Sequence, residues 1–304
     1  MSADPQGPGR LAGRVAIVTG ASRGIGKAIA FAFGQEGAAV AVVARSEAQW
    51  DPRLPGTIHD TVAEIEAAGG TAVAVPADLA QPAEVDGIVE RVHALLGPVS
   101  ILVNNAALTV PGRPRPAGSE PASAARPAGD ATPTQKPTRI GASFVDFPLK
   151  GFRQHFEVGL FAGYRLMQLA LPDMIAAGSG SIVNISSVAG FIPGEGPYPL
   201  GTSSGLAAYG GNKAALHHLS QCVACEVQQY GIAVNVLSPS EPVITPGNLV
   251  AAAGETNWAS PEEFAEATLR VALADPEVMN GQLLWSDDVL HPEHGHRGWL
   301  RPLV

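Results

Sequence analysis

Short apolar runs alternate with longer stretches of helical periodicity along this chain, which restricts it to few folds. The runs are rich in Val, Ile and Ala and have no polar face, as expected for strands buried on both sides of a parallel sheet. Helices then cover both faces, and right-handed connections give a doubly wound α/β fold. The predicted strands are 14–19, 39–44, 71–76, 100–104, 181–186, 232–237 and 281–286; the predicted helices are 27–36, 57–68, 81–96, 152–177, 207–229 and 261–274.

Composition agrees with such a fold and excludes several others. Hydrophobic residues make up 46% of the 304 residues, which is enough for a large core. No run of 18 apolar residues is present, so we expect no membrane span. The net charge of -9 argues against nucleic-acid binding, and two cysteines cannot build a disulfide scaffold. The first residues lack the apolar stretch of a signal peptide, so we expect a cytoplasmic protein.

Glycine and proline are unusually frequent, and the prolines are unevenly spread. Seven of them fall within 109–139, which we interpret as an irregular insert that could fold over the rest as a lid. We therefore predict an N-terminal tail at 1–10, one domain at 11–290 that contains this insert and a proline-rich rim loop at 190–206, and a C-terminal tail at 291–304.

A glycine-rich turn, TGASRGIG, lies between the first predicted strand and the first predicted helix. Gly20 permits a tight turn, Gly24 lets the backbone approach a pyrophosphate, and Gly26 lets the helix pack closely on the strand. The helix N-terminus adds amide donors and partial positive charge. We therefore predict a Rossmann-type dinucleotide site that includes Gly20, Ser22, Arg23, Gly24, Ile25 and Gly26.

This turn and four further segments resemble the classical short-chain dehydrogenase/reductase (SDR) family, from about residue 11 to residue 288. The segments are ADL at 77–79, NNAA at 104–107, NISS at 184–187 and YGGNK at 209–213. The resemblance implies an oxidoreductase that interconverts a ketone or aldehyde and an alcohol with a nicotinamide cofactor. It implies cofactor contacts from Asp78, Leu79, Asn105, Ala106, Tyr209, Lys213, Pro239, Val243 and Thr245.

The end of the second strand bears on the choice of cofactor. Family members that prefer NAD usually carry a carboxylate here, whereas this chain has Ala44 followed by Arg45, and the first carboxylate is Glu47. Arg45 and Arg23 are placed to meet a 2′-phosphate, with guanidinium groups suited to bidentate contacts. We therefore expect NADP(H), with NAD(H) as the alternative if Arg45 is a solvated loop residue.

Tyr209 and Lys213 are four residues apart and share one face of a helix. An ammonium group beside the phenol is expected to lower its pKa and so assist proton transfer. By resemblance, Ser187 binds the substrate oxygen and Lys213 also binds the nicotinamide ribose. Residues 45–70 resemble hydroxysteroid-dehydrogenase-like proteins and terpenoid-alcohol dehydrogenases, but this similarity is too general to name a substrate. We expect a small apolar carbonyl or alcohol as the partner.

Three departures from the family pattern keep a second interpretation open. Gly159 replaces a helix Asn that holds a relay water, Ala107 replaces a glycine, and the turn at Pro239 is one residue longer. We hypothesise that the enzyme is active without the missing amide. The alternative is a catalytically weak or inactive nucleotide-binding protein of the same fold. An interaction protein that uses the proline-rich insert is a weaker alternative.

Two other signals carry little weight. Cys222 and Cys225 form a CxxC in mid-helix, where we expect packed thiols rather than a zinc or redox site. The histidines at 291, 294 and 296 are expected to belong to a solvated or interface tail, so we predict no metal site. Family habit implies a homotetramer or homodimer.

Overall fold

The computed structural model describes residues 9–49, 51–108, 144–198, 206–251 and 258–300. Within these ranges seven parallel strands form one sheet in the order β3-β2-β1-β4-β5-β6-β7. The strands are β1 (Val15–Thr19), β2 (Ala39–Ala44), β3 (Thr71–Pro76), β4 (Ile101–Asn104), β5 (Gly180–Ile185), β6 (Ile232–Ser238) and β7 (Leu283–Trp285). The predicted Rossmann-type, doubly wound sheet is confirmed.

Helices cover both faces of the sheet. They are α1 (Gly24–Gln35), α2 (Ile58–Ala67), α3 (Pro82–Asp86), α4 (Ile88–Leu96), α5 (Leu149–Phe156), α6 (Ala162–Ala177), α7 (Ala207–Val227), α8 (Pro246–Ala251), α9 (Pro261–Ala272) and α10 (Ser286–Leu290). A π turn, Glu157–Phe161, joins α5 to α6, and a 3-10 turn, Val188–Gly190, follows β5. No helix in the described ranges is long and apolar enough to cross a membrane.

The strand side chains alternate between two cores, which explains why the runs have no polar face. In β1, Ala16 and Val18 face one core and Ile17 faces the other. Phe33 of α1 and Phe264 of α9 fill the first core, in which these two helices pack on each other. Because both faces are covered, polar chemistry is confined to the strand ends.

Local signals account for several helix ends. Thr57 and Asp60 form a capping box, in which Thr57 Oγ1 accepts from the Asp60 amide at 3.0 Å and Asp60 Oδ2 accepts from the Thr57 amide at 2.9 Å. Ser260 and Glu263 form a second capping box at the start of α9. Gly178 ends α6 in the left-handed conformation, with φ of 65°.

The structure corrects two predicted helices and adds two that were not predicted. The helix predicted at 81–96 is two helices that meet at Gly87, and the helix predicted at 152–177 begins at Leu149 and contains the π turn. The helices α8 and α10 were not predicted, because each is shorter than two turns and gives no periodic signal. The insert at 109–139 and residues 199–205 of the rim loop lie outside the described residues.

Candidate active site

The candidate site lies at the carboxyl ends of β1, β4, β5 and β6, where the strand order reverses between β1 and β4. Open α/β sheets bind ligands in this crevice. A ladder of buried amides holds its floor together: Asn104 Nδ2 donates to Asn184 Oδ1 at 2.8 Å, and Asn184 Nδ2 donates to Ser220 Oγ at 2.8 Å. Strands β4 and β5 and helix α7 are thereby fixed to one another.

The glycine-rich turn is built for close backbone approach. Gly20 and Gly24 have positive φ, at 67° and 55°. A Cβ on Gly26 would lie 2.4 Å from Asn105 Nδ2 and 2.5 Å from the Gly20 carbonyl oxygen, so only glycine fits. Ser22 is buried and Ile25 is partly buried beside them. The N-terminal amides of α1 therefore open directly onto the crevice.

Thr19 connects this turn to the NNAA segment, and our sequence analysis did not name it as a site residue. Its Oγ1 accepts from the amides of Asn105 at 2.9 Å and Ala106 at 3.1 Å, and donates to the Val103 carbonyl at 3.2 Å. Asn105 Nδ2 also donates to the Thr19 carbonyl at 2.8 Å. One hydroxyl thus brings the predicted residues Asn105 and Ala106 against the glycine-rich turn.

The two predicted arginines lie at the other end of the crevice. Arg23 Nη2 donates to Ser46 Oγ at 3.1 Å and to the Gly56 carbonyl at 3.0 Å, while its buried Nε has no hydrogen-bond partner among the described residues. Burial, followed by the neighbouring charge of Arg45, lowers the pKa of Arg23. Two guanidinium groups held this close favour an anion between them. Ser46 is a further polar group here that sequence analysis missed.

The segment that follows β3 borders the same end. Arg45 Nη1 lies 3.8 Å from Asp78 Oδ1, and Asp78 Oδ1 accepts from the Ala80 amide at 3.1 Å. Leu79, the next residue, is buried. Asp78 and Arg45 are therefore neighbours at this end of the crevice.

The turn after β6 meets the glycine-rich turn from the opposite side. A Cβ on Gly24 would lie 3.1 Å from Thr245 Cγ2. Val243 is buried in a parallel bridge to Ala259, and Pro239 is partly buried at the start of the turn. The structure therefore brings Thr245 to the phosphate end of the crevice.

Three side chains form the chemical centre. Ser187 follows β5 and hydrogen-bonds Tyr209 of α7. Lys213 is 2% exposed, its Nζ donates to the Ile185 carbonyl at 2.6 Å, and the same atom lies 5.8 Å from the centroid of the Tyr209 ring. Ser187 and Tyr209 are 22 residues apart in the sequence but are neighbours in the structure.

The pKa values of this centre differ from our expectation. Burial raises the pKa of Tyr209, and the hydrogen bond from Ser187 opposes this only in part. Burial also lowers the pKa of Lys213 to about 8. The expected lowering of the phenol pKa is not found here, because burial outweighs the hydrogen bond from Ser187.

Two histidines beside this centre were not predicted. His217 Nε2 lies 2.6 Å from Ser186 Oγ, under the ring of Phe191 at 4.6 Å between centroids. Burial, followed by the charge of Lys213, lowers the pKa of His217 to about 4. His155 of α5 approaches the Tyr209 ring edge-on at 6.2 Å. A sequence signal for His217 exists, since it lies one helical turn after Lys213.

The structure also describes the cysteine pair of α7 and the C-terminal tail. Cys222 and Cys225 are free and exposed, so the expectation of packed thiols was wrong. The C-terminal tail packs on its own domain: Trp299 contacts Trp285 at 6.3 Å between centroids, and the Leu300 amide donates to the Ser240 carbonyl at 3.0 Å. Donor atoms of three exposed tail residues lie within 4.8 Å of one another, namely His291, Glu293 and His294.

Comparisons with known proteins bear on this arrangement. The family model described as short chain dehydrogenase matches residues 14–124 and 138–249. The 7alpha-hydroxysteroid dehydrogenase of Escherichia coli K12 is 28% identical over 285 residues, covering 90% of this chain and 93% of that protein. Hydroxysteroid dehydrogenase-like protein 2 of Danio rerio is 29% identical over 293 residues; the match covers 95% of this chain but only 60% of that relative.

A solved structure of a related protein is similar to this chain in three dimensions. The 3-oxoacyl (acyl-carrier-protein) reductase of Agrobacterium tumefaciens C58, solved with NADP bound, has a TM-score of 0.69 and 28% identity. The match covers 90% of this chain and 93% of that one. With a family model that matches most of its length, this chain belongs to the short-chain dehydrogenase/reductase family.

Proposed function

We propose that this protein is an NADP(H)-dependent oxidoreductase that interconverts a small apolar ketone or aldehyde and the matching alcohol. The observation that carries the proposal is the meeting of Ser187, Tyr209 and Lys213 at the end of β5, on the same edge of the sheet as the glycine-rich turn. A hydroxyl, a phenol and a buried amine at one point can bind a carbonyl oxygen and exchange a proton with it.

The crevice supports binding of a dinucleotide. Gly26 packs so closely on Asn105 and Gly20 that no side chain fits between them, which brings the start of α1 and its amide donors against the glycine-rich turn. We assign the phosphate contacts to Gly20, Ser22, Gly24, Ile25, Gly26 and Thr245; the adenine and ribose contacts to Asp78, Leu79, Asn105 and Ala106; and the nicotinamide contacts to Pro239, Val243, Tyr209 and Lys213.

Arg23 and Arg45 support NADP(H) over NAD(H). The Arg23 guanidinium donates to Ser46, the charge of Arg45 is close enough to lower the pKa of Arg23, and no carboxylate ends β2. A 2′-phosphate would neutralise the repulsion between the two arginines and could use the buried Nε of Arg23.

The chain supplies the proton chemistry. The cofactor, when bound, supplies or accepts the hydride. In the reductive direction, Ser187 donates a hydrogen bond to the substrate oxygen, and Tyr209 gives that oxygen its proton as the alcohol forms. The raised pKa of Tyr209 keeps the phenol protonated, as proton donation requires. Lys213, with its pKa near 8, can pass a replacement proton at neutral pH.

An apolar cleft of about 240 Å³ lies between the 3-10 turn after β5 and the start of α7, and it supports an apolar substrate. Among the described residues that line it are Ala189, Ile192, Pro193 and Leu206, and none of the described lining residues is charged. Ile192, Pro193 and Leu206 belong to the predicted rim loop at 190–206, so part of this loop lines the cleft. A cytoplasmic location and a homotetramer or homodimer stay predictions from the sequence.

The test is turnover of reduced and oxidised nicotinamide cofactors, followed by absorbance, across a panel of apolar ketones, aldehydes and secondary alcohols. Tyr209→Phe is the control, and cofactor affinity is measured in parallel by fluorescence. Turnover that Tyr209→Phe removes without loss of cofactor binding is the expected result. Tight cofactor binding with no turnover across the panel would favour the nucleotide-binding alternative.

A further inference from the structure

A gap between the π turn and helix α7 is shaped around one side chain. Gly159 lies in the middle of the π turn, and its α-carbon faces the side-chain amide of Asn212. A Cβ on Gly159 would lie 2.4 Å from Asn212 Oδ1 and 3.0 Å from Asn212 Cγ, which is closer than real Cβ atoms come. Gly159 therefore admits the amide of Asn212, and any larger residue would displace it.

The Asn212 amide is buried and held in one orientation. The residue is 1% exposed, and its Nδ2 donates to the Ala208 carbonyl at 3.0 Å. Since a carbonyl only accepts, the amide cannot turn over without placing oxygen against oxygen. Its Oδ1 therefore points at the π turn, and it has no hydrogen-bond partner in the part of the chain that the structure describes. Buried acceptors without a hydrogen-bond partner are rare.

Asn212 is also next to the chemical centre. It directly precedes Lys213 and follows Tyr209 by three residues on α7. Lys213 ties this helix to β5 through the Ile185 carbonyl. Asn212 contacts the opposite neighbour, the π turn. Helix α7 is thus held from two sides within one helical turn of Tyr209.

We propose that Asn212 is a positioning residue for the proton-transfer centre: its amide fills the gap opposite Gly159 and thereby fixes the placement of Tyr209 and Lys213. This inference rests on the proposed function and adds a residue that acts through Tyr209 and Lys213 without touching the substrate.

The gap between the π turn and α7 has room for one side-chain amide, and a residue at position 159 or at position 212 could supply it. The experiment tests this by moving the amide from one position to the other. Asn212→Ala removes it, and we expect kcat to fall about tenfold, equivalent to about 1.4 kcal/mol, with KM for substrate within about twofold. Gly159→Asn places two amides in the space of one, so we expect a lower unfolding midpoint and lower kcat. The double variant Gly159→Asn, Asn212→Ala returns one amide from the opposite side and is expected to recover most of the lost kcat.

The matched control is the double variant Gly159→Ala, Asn212→Ala, which fills the gap with methyl groups and no amide. We expect it to keep the low kcat of Asn212→Ala. Wild-type kcat in Asn212→Ala would overturn the proposal, as would equal recovery by both double variants, since packing alone would then explain the effect.

Unfolding midpoints and NADPH affinities of all five proteins separate this inference from the proposed function. Recovery of the midpoint in the Asn-bearing double variant, but not in the alanine control, supports the one-amide gap even if no substrate is turned over. In that case the proposed function is refuted, and the inference about the gap is supported. If the wild type turns over substrate but the effects of the substitutions at positions 159 and 212 are simply additive, the inference is overturned and the proposed function is not.

Discussion

Replacing Gly26 by alanine tests the packing that opens the crevice to a dinucleotide. The new Cβ would lie 2.4 Å from Asn105 Nδ2 and 2.5 Å from the Gly20 carbonyl oxygen. Ordinary van der Waals contact needs about 3.4 Å or more, so the start of α1 must move by roughly 1 Å. Overpacking of this kind costs about 1–3 kcal/mol. The displaced Asn105 also loses its 2.8 Å bond to the Thr19 carbonyl, which adds about 1 kcal/mol.

We therefore expect Gly26→Ala to lower the free energy of unfolding by roughly 2–4 kcal/mol, measured by denaturant titration. Because the amides at the start of α1 move with the helix, NADPH affinity should fall by about tenfold or more, the loss of one charge-assisted hydrogen bond. Isothermal titration or cofactor fluorescence measures this.

Gly87→Ala is the matched control. Gly87 has φ of -86°, and a Cβ there would come no closer than 3.9 Å to the Glu84 carbonyl oxygen. Alanine at such a site is neutral or stabilises by up to about 1 kcal/mol. If Gly26→Ala unfolds at the same denaturant concentration as Gly87→Ala and binds NADPH as tightly as the wild type, the close-approach argument is refuted.

Three further predictions concern the charged groups. Arg45→Asp should weaken NADPH binding by about tenfold or more and improve NADH binding; an unchanged ratio of the two dissociation constants would count against the 2′-phosphate site. The pKa of Lys213 is about 8 in the folded protein and 10.5 in the unfolded chain. Between pH 8 and pH 10.5 the unfolded chain therefore binds one more proton than the folded protein. Stability should therefore rise from pH 8 to 10.5, and Lys213→Met should abolish that rise. His217 has a folded pKa near 4 against 6.5, so stability should be lost as the pH falls from 6.5 to 4. His217→Gln, measured by thermal unfolding across that range, should remove this loss; a wild-type curve that is flat from pH 6.5 to 4 would show the shift to be absent.

Most of the fold could be predicted because its signals are local. Apolar runs buried on both faces predict all seven strands within about two residues, and the glycine-rich turn predicts where the first helix meets the crevice. The break at Gly87 and the π turn at 157–161 were missed, because both depend on packing between neighbouring helices rather than on periodicity.

Sequence motifs predicted which residues belong to the candidate site. They did not predict the hydrogen bonds and pKa values of those residues, which depend on contacts between distant parts of the chain. The spacing of Tyr209 and Lys213 places both on one helix face, but it does not reveal that Lys213 bonds the Ile185 carbonyl or that burial raises the pKa of Tyr209. Gly159 looked like the loss of an amide in sequence. The structure shows that the space beside it is filled by Asn212 from another helix, a pairing across 53 positions that periodicity cannot show.

The central claim is that Tyr209 transfers the proton while hydride moves to or from NADP(H). The most direct measurement is single-turnover oxidation of NADPH with an apolar ketone, compared between the wild type and Tyr209→Phe at equal cofactor saturation. We expect rapid loss of reduced-nicotinamide absorbance in the wild type and a rate at least about a hundredfold lower in Tyr209→Phe, within the range for general acid catalysis. Equal rates in the two proteins would contradict it.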